Sequence, residues 1–174
     1  ELEKDRVHVQ LSLDGGDRLA TRANPLAVEM TPFLPAGGLG KHSQDELQSL
    51  LAGRSVGLAL AATPETFTAS AQTTPRDLEL QLQLYAAMLT DPGFRPEGEV
   101  QFRLNINNFF AQLRATPGSA LANLAPGILS DEDPRFTLQK VEDYRALTFP
   151  RLKEAISDRC AHGAIEIGLV GDID

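Results

Sequence analysis

Histidine and carboxylate side chains that could bind a metal come together at one place in this sequence. His42 precedes Ser43, and Asp45 and Glu46 follow closely. This spacing places the imidazole and both carboxylates around one helical start, where a divalent metal would find mixed ligands. The same residues form a capping-box pattern, in which Ser43 caps the Glu46 amide and Glu46 reaches back. We favour a surface turn with a capping box over a metal site, because the cap already uses Glu46.

Two other side chains have both a chemical and a structural interpretation. Cys160 lies close to His162 in the sequence, but we favour an inert, partly buried thiol over a nucleophile. Glu29 stands on an otherwise apolar segment. It is either a relic of a catalytic carboxylate or, as we favour, a solvent-facing or locally paired side chain.

Two further stretches resemble ligand-binding loops only superficially. Residues 131–133 are three adjacent acids, which lack the alternating spacing of a calcium loop, so we expect a solvated turn. Residues 37–40 read Gly-Gly-Leu-Gly and lack the Gly-x-x-x-x-Gly-Lys-Ser/Thr pattern of a phosphate-binding loop. Neither stretch predicts a cofactor site.

The composition argues against two classes of partner. The chain has a formal net charge of −8, and its basic residues are scattered singly. Such a surface repels phosphate backbones and anionic lipids, so we expect neither nucleic acid nor membrane as a partner. One cysteine allows no intrachain disulfide, and it leaves the compartment open between bacterial periplasm and cytoplasm.

Hydrophobic periodicity predicts the first elements. Apolar and polar residues alternate over 7–13, which predicts a half-buried strand. Residues 19–35 carry apolar positions mostly three or four apart, which predicts a helix broken or kinked at Pro25 or Pro32. The capping box then starts a short helix over 44–52.

The second part of the chain is predicted to be mainly helical. Two strand-like runs, 55–62 and 66–72, are predicted to form a hairpin, and Thr74 caps a helix that runs to Thr90. The remaining elements are predicted as helices at 96–114, at 118–130 with an interruption at Pro126-Gly127, at 138–147 capped by Thr137, and at 150–162, and as a final strand at 164–170. This order predicts an α+β fold, in which helices cover one face of a mainly antiparallel, ferredoxin-like sheet.

The chain length is sufficient for one sizeable core, since a domain of about 150 residues buries roughly 70% of its unfolded surface. Residues 1–6 read like a linker entered midway, and no initiator Met or signal peptide precedes them. We therefore expect residues 7–174 to form a single α+β domain excised from a longer multi-domain chain.

Several short stretches resemble domains of the insulinase/pitrilysin-type zinc metallopeptidases, in their mitochondrial-processing-peptidase-like form. Residues 37–43 resemble the Gly-rich turn before the capped helix, and residues 47–53 resemble the passage into the hairpin. Residues 89–94 resemble the end of the long helix, and residues 170–174 resemble the Val-Gly-Asp close of such a domain. The resemblance covers nearly the whole chain and implies its α+β fold.

The resemblance also implies where zinc would bind in a catalytic member. There a His-x-x-Glu-His motif occupies the helix before the Gly-rich turn, and that slot falls near residues 29–33 here, where neither outer position is His. The third ligand, a Glu, would fall around residues 105–110, which offer three asparagines, poor zinc ligands: Asn105, Asn107 and Asn108. The asparagines either bind peptide backbone in a chamber or, as we favour, are ordinary helix-surface polarity.

The resemblance therefore implies the first domain of the second, non-catalytic half. We expect no catalytic, cofactor-binding or metal-binding residue on this chain, and zinc in a separate catalytic half. The implied role is to form part of the wall of a peptide chamber and to pack against the catalytic half. That half would belong to the same protein or to a partner subunit, and peptide substrate would be an indirect partner of this domain. The alternative is a structural or assembly domain, like the inactive core subunits of respiratory complexes, with no protease activity in the parent.

Overall fold

The computed structural model describes residues 4–113 and 115–173. Within them an antiparallel four-stranded sheet has the order β2-β3-β1-β4. The strands are β1 (Val7–Asp14), β2 (Ala61–Ala62), β3 (Thr66–Thr73) and β4 (Ile165–Gly171). Residues 1–3 of the predicted linker, Arg114 at the predicted end of the long helix, and Asp174 lie outside the described residues. The division into a linker and one domain stays a prediction.

Most of the helices lie between β3 and β4 in the chain, and this segregation of helices from strands is typical of α+β proteins. The α-helices of the described residues are α1 (Gln44–Leu50), α2 (Leu78–Thr90), α3 (Pro96–Gln112), α4 (Pro117–Leu129), α5 (Val141–Arg145) and α6 (Phe149–His162), and 3-10 helices span Gly16–Leu19, Thr31–Gly37 and Pro75–Asp77. None of these described helices is long and apolar enough to cross a bilayer. The predicted α+β class is confirmed.

The core lies between one face of the sheet and the helices. Alternate residues of β1 from Val7 to Leu13 are at most 2% exposed, whereas the residues between them face outward or are half-buried. The buried side chains pack against Tyr85 and Met88 of α2 and Leu152 of α6. Burial of a large apolar side chain contributes roughly 1.5–3 kcal/mol, so this shared face holds the layers together.

Residues 19–35 do not form the predicted helix, and this prediction was wrong. Bends and turns connect two 3-10 helices instead, and the second of them begins just before Pro32. Pro25, Pro32 and Pro35 each lack the N–H that an α-helix needs for its i→i−4 bond. With three donors missing in eleven residues, the tighter 3-10 turns replace the α-helix.

The predicted strand over 55–62 is correct only at its end, since just Ala61–Ala62 join the ladder. Side chains from the start of α2 bind the backbone before it. The Ser55 amide donates to Asp77 Oδ2 at 2.9 Å, and Gly57 exchanges two bonds with the Gln81 amide group at 2.8 and 2.9 Å. These side chains provide the hydrogen bonds that a strand partner would supply.

Two helix predictions in the second part need correction. α4 continues through Pro126, because one missing donor in its last turn is tolerated and the Ser130 amide still donates to the Pro126 carbonyl. Thr137 does not cap a helix, since its hydroxyl donates to the Asp133 carbonyl at 2.9 Å. The helix predicted over 138–147 shortens to α5, which starts only after Lys140.

Candidate functional site

The segment at the predicted zinc slot is used for packing. Met30 is 2% exposed and Thr31 is fully buried. The ring of Phe33, at the second outer position, packs edge-to-face on Phe102 of α3 with centroids 5.4 Å apart. An aromatic pair of this geometry contributes about 0.5–1.5 kcal/mol beyond its burial. The residues at the predicted zinc position therefore hold this segment against α3.

The first outer position is Glu29, whose side chain is exposed. Protein packed around its carboxyl raises the pKa of Glu29, and repulsion from Asp17 raises it further. Burial raises the pKa of Tyr144 to about 12, and the nearby Glu29 contributes to the rise. The side chain as a whole is exposed, as the favoured interpretation predicts, while its carboxyl is partly desolvated and has an acidic neighbour.

The region of the expected third ligand lies on α3 and points outward. Asn105, Asn107 and Asn108 are all exposed. The side-chain oxygen Oδ1 of Asn107 accepts two bonds from the Arg145 guanidinium, so it ties α3 to α5. Zinc prefers thiolate, imidazole and carboxylate ligands, three of them with an open position in catalytic sites. A glutamate, a phenylalanine and asparagines do not provide that set, so the residues do not fit a catalytic zinc.

The Gly-rich loop over 37–40 is held by backbone and arginine contacts. Arg95 donates to the Gly37 carbonyl at 3.0 Å and to the Gly40 carbonyl at 2.7 Å. Gly38 has a φ of 78°, and a Cβ there would collide with the His42 carbonyl, so only glycine fits. The loop fixes the chain direction before α1 and presents no cradle of free amides.

The His42 cluster is a capping box. The Ser43 amide donates to Glu46 Oε2 at 2.8 Å, and the Glu46 amide donates back to the Ser43 hydroxyl at 3.3 Å. The Ser43 amide lowers the pKa of Glu46, and His42 Nδ1 lies 3.8 Å from the same carboxylate oxygen. Across the described ranges, no group of three His, Cys, Asp or Glu side chains could hold a metal ion.

The other candidates have structural partners. Asp133, in the acidic turn, is 7% exposed and pairs with Arg135 and Arg22, and these bonds, led by Arg135, lower its pKa. Burial raises the pKa of the Cys160 thiol, which disfavours the nucleophilic thiolate. His162 lies 3.3 Å from Asp158 instead.

The sheet face opposite the helices carries a feature that the sequence interpretation missed. It holds a shallow depression of about 590 Å³. Its lining mixes polar and apolar residues from three neighbouring strands, and the polar ones include Gln10, Ser12, Ser70, Gln72 and Glu166. The alternating polar residues of β1 were the signal in the sequence for this polar face. The pairing of β1 with β3 and β4 is what shows that these strands extend the same surface.

Comparisons with known proteins identify the type of domain. No protein-family model matches the sequence, and no curated protein matches it. The structure matches the peptidase M16 inactive domain from Pseudomonas fluorescens with a TM-score of 0.79 at 16% identity, covering 100% of this chain and 43% of that one. It matches the periplasmic protease PqqL from Escherichia coli with a TM-score of 0.78 at 16% identity, covering 99% and 19%.

A third match is a mutant of the ferredoxin protease FusC in complex with Arabidopsis ferredoxin. Its TM-score is 0.75 at 16% identity, over 98% of this chain and 19% of that one. The fold is therefore that of an M16, pitrilysin-type peptidase domain, and one match is an inactive domain of this type. The chain spans less than half the length of each matched chain. Because the chain matches only part of these proteases, which are built of two halves, the match is consistent with a domain that packs against another half.

Proposed function

We propose that this chain is a non-catalytic domain of an M16, pitrilysin-type zinc metallopeptidase, and that it walls the peptide chamber and packs against the catalytic half. The observation that carries the proposal is the contact between Phe33 and Phe102. A ring fills the position where the resemblance places a zinc ligand, in a fold that matches an inactive domain of the same type. The residues at this position stabilise the domain and leave metal chemistry to another part of the protein.

The open sheet face is the surface that suits a packing role. Its depression is broad and shallow, and Glu166 is the one carboxylate among the lining residues that the structure describes. A neighbouring domain can cover such a face without burying many unpaired charges, which would be costly. Peptide would then meet this domain only as part of the chamber wall, while zinc and the activated water belong to the catalytic half.

Zinc content and peptidase activity of the purified 174-residue chain test the proposal. We expect no stoichiometric zinc after dialysis and no hydrolysis of unfolded peptides, with or without added zinc. One tightly held zinc ion per chain, with hydrolysis that a chelator abolishes, would contradict the proposal. Sequencing the natural reading frame on both sides then separates the alternatives. A His-x-x-Glu-His with a downstream Glu supports a zinc peptidase, and an equally ligand-free neighbouring half supports a structural or assembly protein.

The packing role has its own test in the full-length protein of that frame. Gln72→Arg places a charge on the open sheet face, so we expect weaker association of the halves and lower peptidase activity at unchanged zinc content. Gln83→Arg on α2 is the matched control, because Gln83 is exposed on the helical side. Equal activity of the two variants would argue against the open face as the packing surface.

A further inference from the structure

Strand β4 forms an edge of the sheet with exposed apolar side chains. It pairs with β1 on one side, and the residues that the structure describes place no strand on the other. Four of its side chains are 39–59% exposed, namely Ile165, Ile167, Leu169 and Val170. A seven-residue edge strand with apolar side chains and unpaired backbone groups is a template for another strand.

The hydrogen bonds at both ends of β4 show which backbone groups face outward. The Asp14 amide donates to the Ala164 carbonyl at 3.0 Å, and the Asp172 amide donates to the Arg6 carbonyl at 2.9 Å. In an antiparallel ladder the residues that bond one neighbour alternate with those that bond the other. Even-numbered residues of β4 therefore bond β1, and the amides and carbonyls of Ile165, Ile167 and Leu169 point out from the edge.

We propose that β4 pairs antiparallel with β4 of a second copy of this chain, about a two-fold axis through Gly168, to form one continuous eight-stranded sheet. In this register Ile167 lies opposite Leu169 of the second copy, and Glu166 lies opposite Val170. Ile165 lies opposite Gly171, so every residue of the strand has a partner. The contact is isologous, as closed dimers require.

Side-chain parity and charge select this register. A shift that mixes odd and even residues would turn the apolar side chains to the wrong face. Moving the axis to Leu169 would set Glu166 opposite Asp172 of the second copy, and like charges directly opposite are destabilising. Moving the axis to Ile167 would leave Val170 and Gly171 opposite residues outside the strand. A Cβ at Gly168 would have no atom within 4 Å, so nothing in the described chain obstructs close approach.

The other edge of the sheet does not offer this contact. Before Ala61, Asp77 binds the Ser55 amide, and Gln81 binds the amide and carbonyl of Gly57. The competing surface is the outer side of α4, where four large apolar residues are 49–86% exposed: Leu121, Leu124, Ile128 and Leu129. The proposal commits to β4 because, among the surfaces of residues 4–113 and 115–173, this one combines apolar side chains, outward backbone groups and a self-complementary register. It does not depend on the proposed function.

Sedimentation velocity over a concentration series tests the pairing. We expect the 174-residue chain to dimerise in reducing buffer, and Ile167→Lys to weaken the dimer at least about tenfold, because a charge would face Leu169 of the second copy. Ile128→Lys on α4 is the matched control and should leave the dissociation constant unchanged. A chain that is monomeric up to its solubility limit, or a dimer lost in Ile128→Lys but kept in Ile167→Lys, would overturn the proposal.

Disulfide cross-linking tests the register and does not rely on a destabilising substitution. In a Cys160→Ser background, Gly168→Cys places two thiols at a non-hydrogen-bonded pair, where Cα atoms lie about 4.5 Å apart, within disulfide range. Glu166→Cys is the control, because four strand positions separate it from its copy by about 14 Å. We expect mild oxidation to cross-link the first variant and not the second. The reverse result, or equal cross-linking, would contradict the two-fold axis at Gly168.

Discussion

The two edges of the sheet end in different ways. At the β2 edge, Asp77 and Gln81 bind the preceding backbone at Ser55 and Gly57 through side chains that are fully buried. At the β4 edge, apolar side chains and alternate backbone groups remain exposed over seven residues. At the first edge the chain's own side chains occupy backbone groups of Ser55 and Gly57, and the paired strand is only two residues long, so it is a poorer template for strand addition. The second is open, so the same sheet has one edge built for stability and one available for association.

The largest loss of stability is expected for Asp77→Ala at the closed edge. Asp77 accepts from the Ser55 amide and pairs with Arg54 at 3.1 Å and Arg76 at 3.2 Å. Its removal leaves these partners without their shared acceptor, so the midpoint of urea unfolding should fall further than for any other substitution below. Asp45→Ala is the control, because Asp45 is an exposed acid at the start of α1. Similar midpoints for the two variants would contradict the role of Asp77.

The free energy of unfolding should fall by about 2 kcal/mol in Gln81→Ala, because this substitution removes both hydrogen bonds to Gly57. Urea titration measures this fall. Gln83→Ala on the same helix is the matched control, because Gln83 is exposed and donates to the neighbouring Glu79 on the helix surface, and we expect a change within about 0.5 kcal/mol. A smaller effect at Gln81 than at Gln83 would show that strand pairing and not this side chain closes the edge.

The stabilisation that Asp77 provides at the β2 edge should also depend on pH. The Ser55 amide, and then the Arg76 guanidinium, lower the pKa of Asp77 to about 2. Because the folded pKa lies below the ordinary value, its stabilisation is complete above about pH 4 and is lost as pH falls toward about 2. Urea midpoints measured across this window should fall less steeply in Asp77→Asn than in the unmodified chain. Parallel curves would contradict the lowered pKa of Asp77. Asp133→Asn provides a comparison, because the pKa of Asp133 is also lowered.

The smallest effect is expected at the open edge. Val170→Thr replaces a residue that is 59% exposed and β-branched, so the free energy of unfolding of the monomer should change by less than about 0.5 kcal/mol. Measurement in the Ile167→Lys background separates folding from association. A loss comparable with that of Gln81→Ala would mean that β4 contributes to the core of the monomer as strongly as the closed edge does.

Several elements were predictable because their information is local. Alternation identifies β1, and the Ser43–Glu46 pattern identifies the start of α1. Thr74 and Pro75 mark the approach to α2, where the Thr74 hydroxyl accepts from the Asp77 amide at 3.3 Å. In each case the stabilising bonds or the buried face lie within one element, so nearby residues contain the whole signal.

The wrong predictions have a different physical origin. The apolar spacing over 19–35 fits a helix, but 3-10 turns place the same side chains in the core once three prolines have removed the amide donors. The strand predicted over 55–62 was too long, because Asp77 and Gln81 supply the hydrogen bonds of its first part. Propensity describes what a segment prefers by itself, and packing and distant partners overrule it.

The sequence by itself determined the α+β class, the main strands and helices, and the residue types at the expected zinc positions. Those properties depend on periodicity, caps and side-chain chemistry, which are written into neighbouring residues. The tertiary structure decided that Phe33 meets Phe102, that one sheet edge is closed and the other open, and that three strands share one polar depression. These features join residues far apart in the chain, and a residue's partner across such a distance depends on the folded topology and not on its neighbours.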